Sequence, residues 1–410
     1  MTQIISVKSK ADLDKTANSL PLIARKALGY ALKLEVGQIT FKMPNGQAFA
    51  FGEEDSGMHA SLEIKNYNTA MRIVKQGDIG FAEGYLAGEW ETPDLTALLQ
   101  VFAANAHIIK TIMDDKPIAK LIQRFFHWRN RNTRSGSKRN IYAHYDLGNE
   151  FYQTWLDDTM TYSSALFTNA EQSLKDGQTQ KYRELAQSIG ATENSHVLEI
   201  GCGWGGFAEY AAKEIGCKLT GLTISKAQLE FAQKRIFEAG LNEKVDLRFQ
   251  DYRDIDGKYD GIASIEMIEA VGEKYWPAYF TTLRDRMVEG GRAGIQMITI
   301  DEQHFDAYRS GPDFIQRYVF PGGMLPTPSA MKSLGNKFGL DCVNDLQFGK
   351  DYAKTLKIWQ ARFLENWPKL EPMGFDQRFK RLWKFYLSYC EAGFLQGNID
   401  VRQMVFAKPS

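Results

Sequence analysis

The stretch Val197-Leu198-Glu199-Ile200-Gly201-Cys202-Gly203-Trp204-Gly205-Gly206-Phe207 constrains the fold of this chain more than any other. Its short apolar residues read as a buried strand, and its glycines as a tight turn. Phe207, Tyr210, Ala211 and Ile215 continue at helical spacing, so one face of a helix can pack on a sheet. Glycines at 201, 203 and 205 let the backbone approach a ligand where a Cβ would collide. The helix start offers free N–H groups and partial positive charge, suited to an anion or a carboxylate. Two cofactor classes use such a turn. Gly201, Gly203 and Gly206 match the dinucleotide fingerprint, a weak signal by itself. Glu199 supplies the acid before the turn that an S-adenosylmethionine reading needs. The next strand, 217–222, runs into Thr223-Ile224-Ser225 without an acid to hold a nucleotide ribose. That counts against NAD, and it also departs from the generic methyltransferase pattern. The turn alone leaves the cofactor open.

The rest of the chain sets the frame. Its 410 residues suggest two or three domains, and a formal net charge of zero leaves attraction to charged partners to local patches. Cys202, Cys217, Cys342 and Cys390 are scattered, which argues against a disulfide framework or zinc site and for a reducing compartment. The first residues lack a signal-peptide layout, and no apolar run is long enough to cross a bilayer. The expectation is a soluble, cytoplasmic protein. Residues 1–115 read as an α+β domain, with a helix over 11–30, strands at 39–42, 48–52 and 60–64, and helices at 66–75 and 95–104. Residues 116–140 carry Lys116, Lys120, Arg124, Arg129, Arg131, Arg134, Lys138 and Arg139 without an acid, interleaved with Phe125, Phe126 and Trp128. This is either a solvated linker or a contact with anionic lipid, where each basic residue contributes about 1 kcal/mol. No motif supports nucleic acid. From 141 helices and strands alternate, which predicts a mostly parallel sheet. Strands are expected at 195–200, 217–222, 245–249, 259–264, 292–300, 341–347 and 399–407, with long helices at 351–366 and 375–394. Residues 301–328, rich in Pro and Gly, read as a cap or loop over the active site.

Several ordered segments together carry a resemblance. They are Tyr142-Ala-His144-Tyr145-Asp146-Leu-Gly148-Asn149-Glu150-Phe151-Tyr152, Met160-Thr-Tyr162-Ser163-Ser164-Ala165 and the glycine turn. Gly221-Leu-Thr223-Ile-Ser225-Lys-Ala-Gln228, Ser264-Ile-Glu266-Met-Ile-Glu269-Ala-Val-Gly272 and Arg317-Tyr-Val-Phe320-Pro321-Gly322-Gly323 follow. Residues 141–410 thereby resemble the cyclopropane-fatty-acyl-phospholipid synthase family, with its mycolic acid methyltransferase relatives. The N-terminal domain resembles the full-length bacterial members more weakly, through residues 80–90. The resemblance implies a Rossmann-like class I methyltransferase with a seven-stranded, mostly parallel sheet, preceded by a smaller α+β domain. Residues 1–115 would be the membrane-associated domain, 116–140 a basic linker and 141–410 the catalytic domain.

The implied reaction moves the methyl of S-adenosylmethionine onto a cis double bond of a phospholipid acyl chain. Proton loss to a bound bicarbonate ion and cyclopropane closure follow. The cofactor site would comprise Tyr162, Ser163, Gly201, Gly203, Gly205, Thr223, Ser225 and Gln228, with Asp251 and Tyr252 at the adenine edge. The bicarbonate pocket maps onto Ser164, Glu269, Gln296 and Tyr352, closed by the backbone near Ile298. Ser164 stands where the family commonly has cysteine and Gln296 where it has histidine; glutamine keeps a donor and an acceptor but cannot titrate. A methyl- or methylene-branched product is therefore the alternative to a ring, and a lipid-binding or transfer protein the lower-ranked one. No metal is implied; His144 would order a lid and Cys390 would pack. The implied partners are an unsaturated phospholipid, an anionic membrane surface met peripherally from the cytoplasm, and a possible second copy of the chain.

Overall fold

The computed structural model describes residues 3–53, 55, 57–106 and 147–409. The basic stretch 116–140 and His144 lie outside the described residues. The chain forms two compact units. One takes the described residues of Met1–Phe126 with Gly311–Phe314 and Glu371–Gln396. The other takes those of His127–Ser310 with Ile315–Leu370 and Gly397–Ser410.

The first unit is built on strands β1 (Ile4–Ser6), β2 (Gln38–Lys42), β3 (Ala48–Gly52), β4 (His59–Ile64) and β5 (Trp90–Glu91), in the order β1-β3-β2-β4-β5. β2 to β4 fall where the sequence predicts strands between Asn-Gly and Gly-rich turns; β1 and β5, at three and two residues, are too short to show a period. The single helix expected over 11–30 is two, Lys10–Thr16 and Leu22–Ala31. Pro21 divides them, because proline disfavours helix in the residue before it and gives no N–H to a continuing ladder. The helix Gln377–Gln396, which the sequence reading placed in 141–410, belongs to this unit. Its Arg381 donates to the Tyr85 carbonyl, to the Trp90 carbonyl at 3.1 Å and to the Glu91 carboxylate at 2.6 Å. Thr96 donates to Glu391 at 2.9 Å. Those contacts fix the helix where a count of alternating elements could not.

The second unit carries all seven strands expected from the sequence: β6 (His196–Ile200), β7 (Lys218–Thr223), β8 (Val245–Phe249), β9 (Tyr259–Ile265), β10 (Met287–Ile300), β11 (Asp341–Gln347) and β12 (Ile399–Ala407). Their order is β11-β12-β10-β9-β6-β7-β8, parallel from β10 to β8, with β12 antiparallel to both its neighbours. Side chains of β6 alternate between two cores. Val197 packs with Leu185, Phe207 and Leu219, whereas Leu198 and Ile200 join Ile262, Phe280, Leu283 and Ile295. The helix Leu174–Ser188 lies close on the sheet because β10 has a glycine beneath it. A Cβ on Gly294 would come within 2.7 Å of both Leu185 and Ile189. The segment 301–328, expected as a cap or loop, contains two helices, Glu302–Ser310 and Phe314–Tyr318. The chain runs from β6 outward to β8, then returns to β9 and runs the other way. Such a reversal opens a crevice at the carboxyl ends of β6 and β9, where ligands bind in open α/β sheets.

Candidate active site

The glycine turn stands at that crevice. Gly201, Gly203 and Gly205 have φ of 86°, 51° and 81°, a region L side chains rarely enter. They differ in what surrounds them. A Cβ on Gly201 would meet Met267 Cγ at 2.9 Å and one on Gly205 would meet Ala232 Cβ at 3.0 Å, so both are needed for packing. At Gly203 nothing lies within 4 Å, and the bare backbone faces open space. The turn leads into the helix Gly206–Tyr210, which continues as a π turn over Ala211–Ile215.

Glu199, two residues before the turn, is buried, and its Oε2 has no hydrogen-bond partner among the described residues. Burial pushes its carboxyl up to about 8, although the Lys181 ammonium pulls the other way. At the end of β7, Ser225 caps the helix Lys226–Glu238 by accepting from the Gln228 N–H. Thr223 Oγ1 accepts from the Ser225 N–H and donates to Gln228 Oε1, both at 3.1 Å. These three residues thus shape the strand end. Asp251 is engaged by Arg253 at 2.5 Å, and the Tyr252 ring meets Tyr279 edge-on at 5.6 Å.

Four residues were expected around an anion: Ser164, Glu269, Gln296 and Tyr352. Three of them converge on a protein carboxylate that sequence reasoning did not select. Glu266 Oε1 accepts from the Ser164 N–H and from Gln296 Nε2, each at 2.9 Å, and Oε2 accepts from the Tyr352 hydroxyl at 2.6 Å. At Ser164 the backbone N–H makes this contact, while the hydroxyl donates to the Ala165 carbonyl at 2.8 Å. Glu266 sits just beyond β9 with φ of 49°, one of two non-glycine residues with positive φ among those described. Strain of that kind persists where the surroundings over-determine it, often at functional sites. Glu269 stands alongside. Its Oε1 accepts from the Ile298 N–H at 2.6 Å, and Oε2 is buried without a hydrogen-bond partner among the described residues. Burial first, and the neighbouring Glu266 charge second, push Glu269 up to about 8. Burial also raises Glu266, against its three donors and Lys181, which favour the ionised form. An exogenous bicarbonate does not fit this arrangement, because the donors meant for it already hold Glu266.

Behind the carboxylates lies a polar layer that the sequence reading also missed. Lys181 is fully buried and donates to Ser163 Oγ and Gln178 Oε1, each at 2.6 Å. Burial lowers it to about 7, against the attraction of Glu266, Asp157 and Glu199. Gln403 on β12 donates to Gln296 Oε1 at 3.0 Å and to the Lys181 carbonyl at 3.2 Å, which fixes the Gln296 amide with its nitrogen toward Glu266. Tyr162 sits in an aromatic group: its ring lies 5.3 Å from Tyr152, 5.4 Å from Trp155 and Trp359, and 6.4 Å from Phe320. Tyr352 joins that group edge-on to Trp359 at 6.1 Å while its hydroxyl holds Glu266. The site therefore places an aromatic wall against a strained, donor-held carboxylate.

The sheet order and the glycine turn define a class I S-adenosylmethionine-dependent methyltransferase. The family model for mycolic acid cyclopropane synthetase matches residues 132–404, and the chain belongs to that family. It is 39% identical over 353 residues to tuberculostearic acid methyltransferase UfaA1 of Mycobacterium tuberculosis, covering 82% of this chain and 80% of that protein. It is 33% identical over 356 residues to cyclopropane-fatty-acyl-phospholipid synthase of Escherichia coli, covering 85% and 88%. The solved structure of mycolic acid cyclopropane synthase CmaA1 complexed with SAH and CTAB matches with a TM-score of 0.63 and 27% identity, over 66% of this chain and 98% of that one.

Proposed function

We propose that this protein methylates a cis double bond in the acyl chain of a phospholipid and closes the product to a cyclopropane. The observation that carries this reading is the aromatic wall of Tyr162, Trp155, Trp359 and Phe320 joined through Tyr352 to a half-buried carboxylate. An alkene that accepts a methyl becomes a carbocation. Aromatic faces stabilise a cation and exclude water that would trap it, and a nearby base completes the reaction. S-adenosylmethionine supplies an electrophilic methyl. The open backbone at Gly203 and the Glu199 oxygen that has no hydrogen-bond partner among the described residues fit a ligand bearing both a carboxylate and an ammonium. Gly201, Gly203, Gly205, Tyr162 and Ser163 would hold it. Thr223, Ser225, Gln228, Asp251 and Tyr252 would form the far side of its pocket.

Vesicles of monounsaturated phospholipid, incubated with the protein and trideuteromethyl S-adenosylmethionine, test this. A ring product gains one carbon and keeps two of the three deuteriums. The 39% identity to a protein named as a tuberculostearic acid methyltransferase favours a second reading, a methyl- or methylene-branched chain. A methyl branch keeps all three if the proton leaves the chain, and a methylene branch keeps two like the ring and is told from it by NMR. No transfer to any unsaturated lipid would sink both. The basic stretch 116–140 would bring the protein to anionic membranes; charge reversal at Arg124, Arg129 and Arg131 should weaken vesicle binding, as should added salt. Equal binding to neutral vesicles would refute that.

A further inference from the structure

We propose that Glu266 is this enzyme's own proton acceptor, standing in the place where the family's resemblance leads one to expect a diffusible bicarbonate. The inference rests on the methyl-transfer reading above and concerns which group takes the proton.

Three observations converge on it. The first is the cage. Ser164 N–H, Gln296 Nε2 and the Tyr352 hydroxyl, the donors expected to hold an anion, all end on Glu266 oxygens at 2.6–2.9 Å. An ionised carboxylate offers about four acceptor positions, so three donors fix the group and leave one position for an incoming proton. The second is the backbone. A glutamate held at φ of 49° after a buried strand is a strained choice, and the Glu266 N–H to Gln296 carbonyl bond at 2.8 Å locks it beside the residue that its side chain uses. The third is the division of charge between two acids. Glu266 has three donors and the Lys181 charge nearby, whereas Glu269 has only backbone N–H donors and, among the described residues, an Oε2 with no hydrogen-bond partner. Two carboxyls this close do not both ionise readily, and the surroundings assign the charge to Glu266 and the proton to Glu269.

The chemistry then balances within the protein. Once the acyl chain carries the new methyl, one of its former alkene carbons is cationic. A C–H bond of that methyl gives its proton to the open position on Glu266. The bonding pair goes to the cationic carbon and closes the ring. Glu266 leaves the step as a neutral acid and returns its proton to water after product release. No further oxidant, reductant or carbonate is needed. The glutamine at 296 also follows: it need not titrate, because its part is to aim an N–H at Glu266 while Gln403 holds its other end.

The test uses the full-length protein, unsaturated phospholipid vesicles and buffers stripped of carbon dioxide, with bicarbonate added back. Wild-type turnover should not change with bicarbonate, and [13C]bicarbonate should show no line broadening with the wild-type protein. Glu266→Ala empties the cage. It should lose at least about a hundredfold in turnover, bind [13C]bicarbonate by the same NMR measurement, and recover activity as bicarbonate is added. Glu266→Gln keeps the shape without the base, and should bind S-adenosylhomocysteine as wild type does in calorimetry while turnover falls similarly. That variant covers the case in which Glu266→Ala fails to fold. A wild type that methylates lipid only when bicarbonate is present would overturn the assignment and leave the functional reading standing. So would a Glu266→Gln variant with full turnover in carbonate-free buffer. A wild type that methylates no lipid under any condition would remove the functional reading and this inference with it.

Discussion

Glu199→Gln should abolish a large part of the protein's loss of stability at alkaline pH. Glu199 lies at the end of β6, buried, with one oxygen lacking a hydrogen-bond partner among the described residues. Its carboxyl is pushed from 4.5 to about 8 by burial, and only Lys181 opposes this. A raised carboxyl holds its proton more tightly folded than unfolded. Its contribution is complete below about 4.5 and drains away as pH climbs through about 8. Each tenfold change in proton affinity is about 1.4 kcal/mol, so this group alone costs the folded state about 5 kcal/mol by pH 9. Glutamine has nearly the same shape as the protonated acid and never ionises. Urea unfolding of both proteins at about pH 5, 7 and 9 reads the difference. The two should match at the lowest pH, and the variant should be the more stable by several kcal/mol at the highest. Comparing the two proteins at each pH cancels most of what Glu269 and Lys181 contribute. A variant that loses as much stability as wild type would mean that water or a relaxed backbone solvates Glu199, and the argument from burial would fail.

Other changes test other parts of the site. Gly203→Asp should abolish S-adenosylmethionine binding in calorimetry while costing about 1–2 kcal/mol of stability from its φ of 51°, which is too little to unfold the protein because the space there is open; retained affinity would move the cofactor off this turn. Gly294→Val should cost about 1–3 kcal/mol of thermal stability by overpacking, because its Cβ meets Leu185 and Ile189 on the helix that carries Lys181; an unchanged melting temperature would refute that close packing. Arg381→Met should destabilise the first unit by about 2–4 kcal/mol, as three acceptors around its guanidinium lose their donor. Tyr352→Phe takes one donor from Glu266, so its carboxyl should titrate higher and the acid limb of the rate profile should move to higher pH.

The strands of the second unit were legible because they alternate with helical patterns and most carry apolar residues at strand spacing, although β11 is largely polar, and the glycine turn because three close glycines have few other uses. The site was legible only in part. Ser164, Gln296 and Tyr352 come from three distant segments, and only the folded chain shows that they meet on Glu266. Glu266 itself lies in Ser264-Ile265-Glu266-Met267-Ile268-Glu269, where either acid could face the crevice. The available clue was that two acids three apart follow a buried strand, so that both deserved weighing. Lys181 left a better trace. Leu174, Gly177, Gln178, Lys181, Tyr182, Leu185 and Ala186 recur at helical spacing and are all buried, so a lysine stood on the core stripe of a helix. Average polarity hid it. The helix Gln377–Gln396 could not be assigned to its unit from sequence, because an amphipathic pattern says that a face is buried and not against what.

The position of β12 has a consequence for how the protein is made. Its residues 399–407 do not finish an edge; they slot between β10 and β11 and pair along both. A ribosome releases them after everything else in the sheet, so β10 and β11 have no common partner until translation has passed residue 407. Gln403, which steadies both Gln296 and Lys181, arrives in that same strand. A nascent chain that has not yet formed β12 would therefore leave β10 and β11 unpaired at that side and Gln296 without its brace. The sheet and the bracing of Gln296 and Lys181 are therefore completed in one step, by the same strand.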